Sequence, residues 1–270
     1  MHAMTMIRLA ALACACVLPF QSASAQRVAM ASDAWGYLVS DEPATCAFTP
    51  IDVSGSPPLL PVAADGASSA ADDGHAFVLL AEPFELYGTS TLQFAMSTNG
   101  YLAAAHGPHE DDGGDFSNDC PLPAAPDHVG AATSRILAWH DDLAAGSGGA
   151  LRHVHYAICP RPAASGVDEG CSVFDWSGWT RVGHDDGLAF QVVLYHASFE
   201  IALQYLATGE GGAGASIGAQ DAAASSAAVH ACDGSRAMQP ARSVCLFDPR
   251  FPPQGGDDRV FADGFEGVPQ

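Results

Sequence analysis

The sequence predicts an all-β chain, an antiparallel β-sandwich of jelly-roll-like character with one main domain stabilised by disulfides. Three observations predict it. Short segments alternate apolar and polar residues with the period of two that marks a half-buried strand. Gly and Pro, 28 and 18 of 270 residues, punctuate these segments at short intervals. No stretch keeps an apolar 3–4 spacing over four helical turns, so helices are not expected to build the core.

Taken in order, Met1 to Ala25 reads as a secretory signal, domain residues run from 26 to 248, and 249–270 form a linker and C-terminal tail. Arg8 supplies a positive n-region, Leu9 to Phe20 a short apolar run, and Ala23-Ser24-Ala25 a cleavage site. That run is too short for a permanent membrane span. Lipid attachment at Cys14 or Cys16 would leave an even shorter apolar run, so cleavage after Ala25 is preferred.

Trp35 to Val39 and Phe48 to Val53 are expected as short edge strands within a loop-rich segment. Ala71 to Gly74 is a turn, and Ala76 to Leu80 a strand leading to Pro83-Phe84. Pro83 to Leu102 is the clearest element. Leu92, Phe94 and Met96 alternate with Gln93, Ala95 and Ser97, which predicts Phe94 and Met96 buried and Gln93 and Ser97 more exposed. Asn99-Gly100 then supplies two residues suited to positive φ, the type I′ hairpin signature. An acidic loop, His106 to Ala125, follows. Ile136 to Leu143 is a buried strand ending in Asp141-Asp142; Trp139 should pack inward, which places at least one of the two carboxylates at the rim. Such a carboxylate needs a turn N–H, an arginine such as Arg152, or a cation. Gly146 to Gly149 reads as a turn, Leu151 to Cys159 and Cys171 to Thr180 as strands. A second hairpin places Phe190, Val192 and Leu194 against Phe199, Ile201, Leu203 and Tyr205, around His196-Ala197-Ser198. Ala215 to Gln220 is a short strand, and the Ala-rich segment Ala222 to Ala231 permits one or two helical turns.

The 245 residues after the signal suit one large all-β domain or two small ones. Loss of Arg8 takes the formal charge from −21 to −22, and every basic residue is Arg. This sign argues against nucleic acid and anionic membranes as partners. Six Cys follow the signal: Cys46, Cys120, Cys159, Cys171, Cys232 and Cys245, an even set that implies disulfides in an exported chain. Nearest-neighbour pairing joins Cys159 to Cys171, Cys232 to Cys245 and Cys46 to Cys120, one of fifteen connectivities that six Cys allow. No CxxC is present, which disfavours a zinc ribbon or a thioredoxin-type site.

A series of short motifs runs through the domain: Ile51-Asp52-Val53-Ser54, Asp72-Asp73-Gly74, Tyr87-Gly88, Ser97-x-Asn99-Gly100-Tyr101-Leu102, Ala138-Trp139-His140-Asp141-Asp142-Leu143, Phe190 to Tyr195, and Ile217-Gly218-x-Gln220. In order and spacing this series, over residues 35 to 248, resembles the nidogen-like extracellular domain of bacterial adhesive and matrix proteins. His140 departs from that pattern, where an acidic or small residue usually follows the Trp, and so do the Cys insertions. Val260 to Glu266, VFADGFE, resembles a short C-terminal motif of exported Gram-negative proteins. The resemblance implies a secreted or cell-surface location and adhesion or surface binding, and it supplies no catalytic residues.

Several motifs carry chemistry on paper. Gly214 to Gly218 matches the G-x-S-x-G nucleophile elbow, but a Gly-rich loop precedes it and a strand follows, whereas the elbow needs a strand and then a helix. Gly209 to Gly214 matches G-x-G-x-x-G with Glu210 where a phosphate would sit. His153 and His155 share one strand face about 7 Å apart and could bind Zn²⁺ or Cu²⁺ given a third ligand, though a half-exposed strand surface is the plainer reading. Trp176 and Trp179 could stack a sugar, but near a disulfide they read as core. The acidic clusters are the strongest candidate site. Asp72, Asp73, Asp141 and Asp142 offer hard oxygens of the kind Ca²⁺ takes, as do the carboxylates around Asp111 and Asp115. The EF-hand pattern fails, because Phe116 stands at the sixth position counted from Asp111, where Gly is required. Adjacent carboxylates on a strand point to opposite faces, and Asp also caps turns, the weightier reading of these residues.

These readings give a non-catalytic binding or adhesion module whose partner is an unidentified extracellular protein or glycan, with no membrane insertion of the mature chain. The alternatives are a Ca²⁺-dependent carbohydrate-binding domain and a metal-dependent hydrolase using His140, His153 or His155 with Asp141 or Asp142.

Overall fold

The computed structural model describes residues 31–105, 111, 113–118, 120–125 and 133–253. The expected signal and the tail motif around Phe261 to Glu266 lie outside the described residues. The described residues contain fourteen strands and no helix. In chain order they are β1 (Ala31–Ser32), β2 (Leu38–Ser40), β3 (Val62–Ala63), β4 (Gly74–Leu86), β5 (Thr89–Ser97), β6 (Tyr101–Ala105) and β7 (Arg135–His140). The remainder are β8 (Leu143–Tyr156), β9 (Cys171–Arg181), β10 (Leu188–Tyr195), β11 (Ile201–Thr208), β12 (Ser216–Gln220), β13 (Ala227–Cys232) and β14 (Arg242–Phe247).

Two seven-stranded antiparallel sheets result, ordered β1-β2-β14-β11-β10-β9-β8 and β13-β12-β7-β6-β5-β4-β3. The all-β sandwich is as expected. Its winding is simpler than that of a jelly roll: β3 to β7 form one meander, β8 to β11 another, and the chain changes sheet before β3, β8, β12 and β14. Between the sheets lies the main core, where Trp139 and Trp176 both stack on Phe190, at 6.3 and 5.1 Å between ring centroids. Phe94, Met96 and Trp139 are fully buried in it, as their strand patterns predict. Trp176 and Trp179 are core as well, and their indole N–H groups donate to the Ser97 and Ala150 carbonyls.

Loops cover both outer faces, and this explains several departures from the sequence reading. Ser97 is fully buried rather than exposed, because the segment around Gly113 packs over β5 and β6 and accepts the Ser97 hydroxyl at 2.6 Å. That cover is held by Arg135, whose guanidinium pairs with Asp111 at 2.8 Å and with Asp115. On the other sheet, Phe48 to Val53 forms no strand. Its Ile51 backbone instead meets the Gln191 side-chain amide, which accepts from N–H at 3.0 Å and donates to C=O at 2.7 Å.

Local signals were also redirected by neighbours. Gly146 to Gly149 is not a turn but a bulge inside β8, packed on the Gly178 carbonyl of β9. Residues 227–232 are a strand rather than helix, because β12 offers them an edge to pair with. Of the nearest-neighbour disulfides only Cys159–Cys171 forms; the other two are Cys46–Cys245 and Cys120–Cys232, with sequence separations of 199 and 112. Each of these two ties a loop cover to a strand, Cys46 to β14 and Cys120 to β13.

The central hairpin differs from a type I′ turn. Three residues, Thr98-Asn99-Gly100, join β5 to β6, and of these only Gly100 has positive φ, at 78°. This is the three-residue hairpin loop that ends in a left-handed residue. The Trp139 carbonyl decides the choice of Gly: a Cβ at residue 100 would lie 2.0 Å from its oxygen. Gly100 O accepts the N–H groups of Ala138 and Trp139 at 3.1 and 2.9 Å, which docks the turn on β7.

Gly100→Ala should cost about 2–5 kcal/mol in urea unfolding, combining left-handed strain with overpacking against backbone. Gly66→Ala, also at positive φ but with open space around it, should cost only the strain. Non-reducing peptide mapping should recover the three disulfides named above with no free thiol in the domain. Opening Cys120–Cys232 should cost about 4–5 kcal/mol, against roughly 3 for Cys159–Cys171, by the chain-entropy relation.

Candidate functional site

The turn Thr98 to Gly100 organises the site. Thr98 holds the chain just before β4: its N–H donates to Gly74 O at 2.9 Å, its hydroxyl accepts from Gly74 N at 2.9 Å and donates to Asp72 O. The Asp72 and Asp73 N–H groups both donate to Ser69 O, so this turn is pinned from both sides. Asn99, fully buried, then spans two segments. Its Nδ2 donates to Asp73 Oδ1 at 3.0 Å, and its Oδ1 accepts Leu143 N–H at 2.9 Å. Leu143 opens β8 directly after the Asp141-Asp142 corner at which the chain leaves one sheet for the other. Val182 N–H donates to Asp142 O at 2.9 Å and fixes the far side of that corner.

These bonds bring Asp72, Asp73 and Asp142 together, with one carboxylate oxygen from each within 4.8 Å of the others, all three half-buried. No arginine pairs with them among the described residues. Partial burial, and then the neighbouring Asp73, raise the Asp72 carboxyl above its usual range. Asp142 is raised by burial first, then by Asp72, Asp73 and Asp141. The carboxylates of Asp72 and Asp142 accept no hydrogen bond from the described residues, so the turn capping expected of them is absent.

Capping is found at Asp141, whose Oδ1 accepts the Asp142 N–H at 2.9 Å. Its carboxylate turns away from the other three, towards Gly214, and Oδ2 is buried without a partner. Burial raises this carboxyl too. Of the four expected metal ligands three therefore assemble, and the fourth stands apart because adjacent residues project to opposite sides. Arg152 does not serve the corner; it lies 3.8 Å from Asp175.

His140 also projects away from Asp142. Its Nε2 is 3.1 Å from Asp115 O, its ring packs edge-on to Tyr101, and burial pushes its pKa down to about 4. It belongs to the Arg135–Asp111–Asp115 network that holds the loop cover. Ser216 of the G-x-S-x-G match sits buried on β12 with its hydroxyl donating to Asn118. Sequence reading missed Thr98 and Asn99 as organisers and Arg135 as a network centre. A lone Arg in the apolar run RILAWH was the available signal, since a buried guanidinium requires carboxylate partners.

Comparisons of the chain with protein-family models, with curated proteins and with solved structures return no match.

The raised carboxyls give a signed expectation. A carboxyl whose folded pKa exceeds its unfolded value costs stability at pH above the folded value, and the cost fades as pH falls through it. In EDTA, Asp142→Asn should therefore be more stable than wild type at pH 7 by about 0.2–1 kcal/mol, the range for solvent-screened pairs. Its advantage should shrink as pH falls into the ordinary carboxylate range, which paired urea titrations of the two proteins would read.

Proposed function

We propose that the chain is an exported, non-catalytic binding or adhesion module that holds Ca²⁺ at the corner between β7 and β8. The observation that carries this reading is the convergence of Asp72, Asp73 and Asp142 with no arginine paired to them among the described residues. Ca²⁺ takes six to eight oxygens in flexible geometry; three carboxylates supply up to six, and water completes such a shell. The three disulfides suit the oxidising setting in which Ca²⁺ is abundant. The motif series that resembles nidogen-like domains supports adhesion as the use of such a module. The partner in this reading is an extracellular protein or glycan.

Melting the full mature chain in EDTA and again in about 10 mM CaCl₂ tests the cation. Extracellular calcium modules bind with Kd of about 0.1–1 mM, so ten to a hundred times Kd should add roughly 1.4–2.7 kcal/mol. For a domain of this size that is a rise of about 3–10 °C. Asp142→Asn should abolish the rise, and identical melting curves for wild type would refute the calcium site. A glycan and surface-protein binding screen with and without Ca²⁺ then tests the adhesive role.

A further inference from the structure

A second polar cluster lies where the other end of β8 faces β4 across the opening between the sheets. β8 is the last strand of its sheet, and its inward-facing residues run Leu151, His153, His155. The register sets His153 opposite Phe174 and His155 opposite Ser172 on β9. The His153 ring packs on Phe174 at 4.8 Å. The His155 ring centroid is 5.5 Å from that of His196, which comes from the turn between β10 and β11. His196 has Nε2 at 3.1 Å from Ser172 Oγ and Nδ1 at 3.5 Å from the Pro83 carbonyl of β4. The exposed Glu82 carboxylate, beside Pro83, acts electrostatically on His196.

Three imidazoles thus gather from two elements, and their polar atoms are not all spent. His153 Nε2 and His155 Nδ1 are buried with no hydrogen-bond partner among the described residues. Buried polar atoms are ordinarily paired, and an unpaired one calls for a partner such as an ion. Partial burial, and then the neighbouring imidazoles, push the His153 pKa down to about 4, and burial lowers that of His196. The spacing of the His155–His196 pair also fits, while His153 stands farther off. Two imidazoles sharing a tetrahedral Zn²⁺ at about 2.0–2.1 Å per bond have ring centroids roughly 5 Å apart.

We propose that His153, His155 and His196 form a binding site for a divalent transition-metal ion of the Zn²⁺ or Cu²⁺ class, with Glu82 or water completing the shell. His155 and His196 supply the pair whose rings are at coordination spacing, His196 through Nε2 in exchange for the Ser172 hydroxyl while its Nδ1 stays on the Pro83 carbonyl. His153, two residues along the same face, reaches the ion by turning its ring off Phe174. Nitrogen donors distinguish this site from the all-carboxylate corner, and the two should select different ions.

The test titrates the full mature chain with Zn²⁺ against a chromophoric chelator. One equivalent should bind, and His155→Gln and His196→Gln should each weaken it at least tenfold, while Asp142→Asn leaves it unchanged. Wild type that fails to compete for Zn²⁺, or glutamine variants that bind like wild type, would overturn the site. So would Zn²⁺ binding lost in Asp142→Asn. Near-UV circular dichroism checks that the variants fold. Should either fail, Cu²⁺ loaded on wild type decides by electron paramagnetic resonance: nitrogen hyperfine coupling from imidazole is expected, and an oxygen-only spectrum excludes the site.

Discussion

The close approach of the Thr98–Gly100 turn to the end of β7 is the contact on which both sheets depend. The Trp139 carbonyl occupies space that any side chain at residue 100 would need. With Gly there, two N–H groups of β7 reach the Gly100 carbonyl, and Asn99 reaches across to the first residue of β8. The opposite sheet is tied in just before the same turn, since the Trp176 indole of β9 donates to the carbonyl of Ser97, the last residue of β5, at 2.8 Å. One three-residue connection therefore sets how β5, β7, β8 and β9 stand to one another. The crossing from the first meander to the second is then fixed in place, and the acidic corner with it.

Arginine is scarce in this chain, 10 basic residues against 31 acidic, and much of it is spent inside. Arg135 holds Asp111 and Asp115 under one loop cover; Arg161 holds Glu200 and the Tyr195 hydroxyl under the other. A buried ion pair of this kind adds little over a well-packed apolar substitute, yet removing one partner strands a charge and costs several kcal/mol. These networks specify where each cover sits more than they raise stability. Among the described residues no arginine pairs with Asp72, Asp73 or Asp142, which singles them out.

What was legible in the sequence was local. Phe94 and Met96, or Phe190, Val192 and Leu194, announce their faces through a period of two, and the turns beside them are built from adjacent residues. The Asn99-Gly100 signal located a hairpin but not its loop length, nor the Trp139 carbonyl, 39 residues on, that requires Gly at residue 100. Ser97 was misjudged because the alternation rule assumes water on one face, and here the segment near Gly113 replaces it. The disulfides failed for a related reason: nearest neighbours in sequence are poor guides when Cys245 sits on a strand beside β2 and β11, over which the Cys46 loop folds. At the site, alternation correctly separated Asp141 from Asp142. It could not say that Asp72 and Asp73 would be the residues to meet Asp142, since that depends on an Asn99 side chain bridging two loops.

Both proposed sites lie at the ends of β8, and the sandwich itself gives a reason. Within a sheet every backbone group is paired and the inward side chains are sealed by the opposite sheet, so polar side chains there must be satisfied by the protein. At the start of β8 the chain has just changed sheets, and the ladder gives way to side-chain and loop contacts from Asn99 and Val182. Towards its end β8 borders an opening, with β9 on one side and, among the described residues, no strand on the other. Side chains facing inward at these two places are only partly enclosed, which leaves donor atoms desolvated enough to be costly and open enough to be reached. Oxygen donors collect at the first and nitrogen donors at the second. The same edge strand can thus carry two ions of different hardness, with neither site disturbing the apolar core between them.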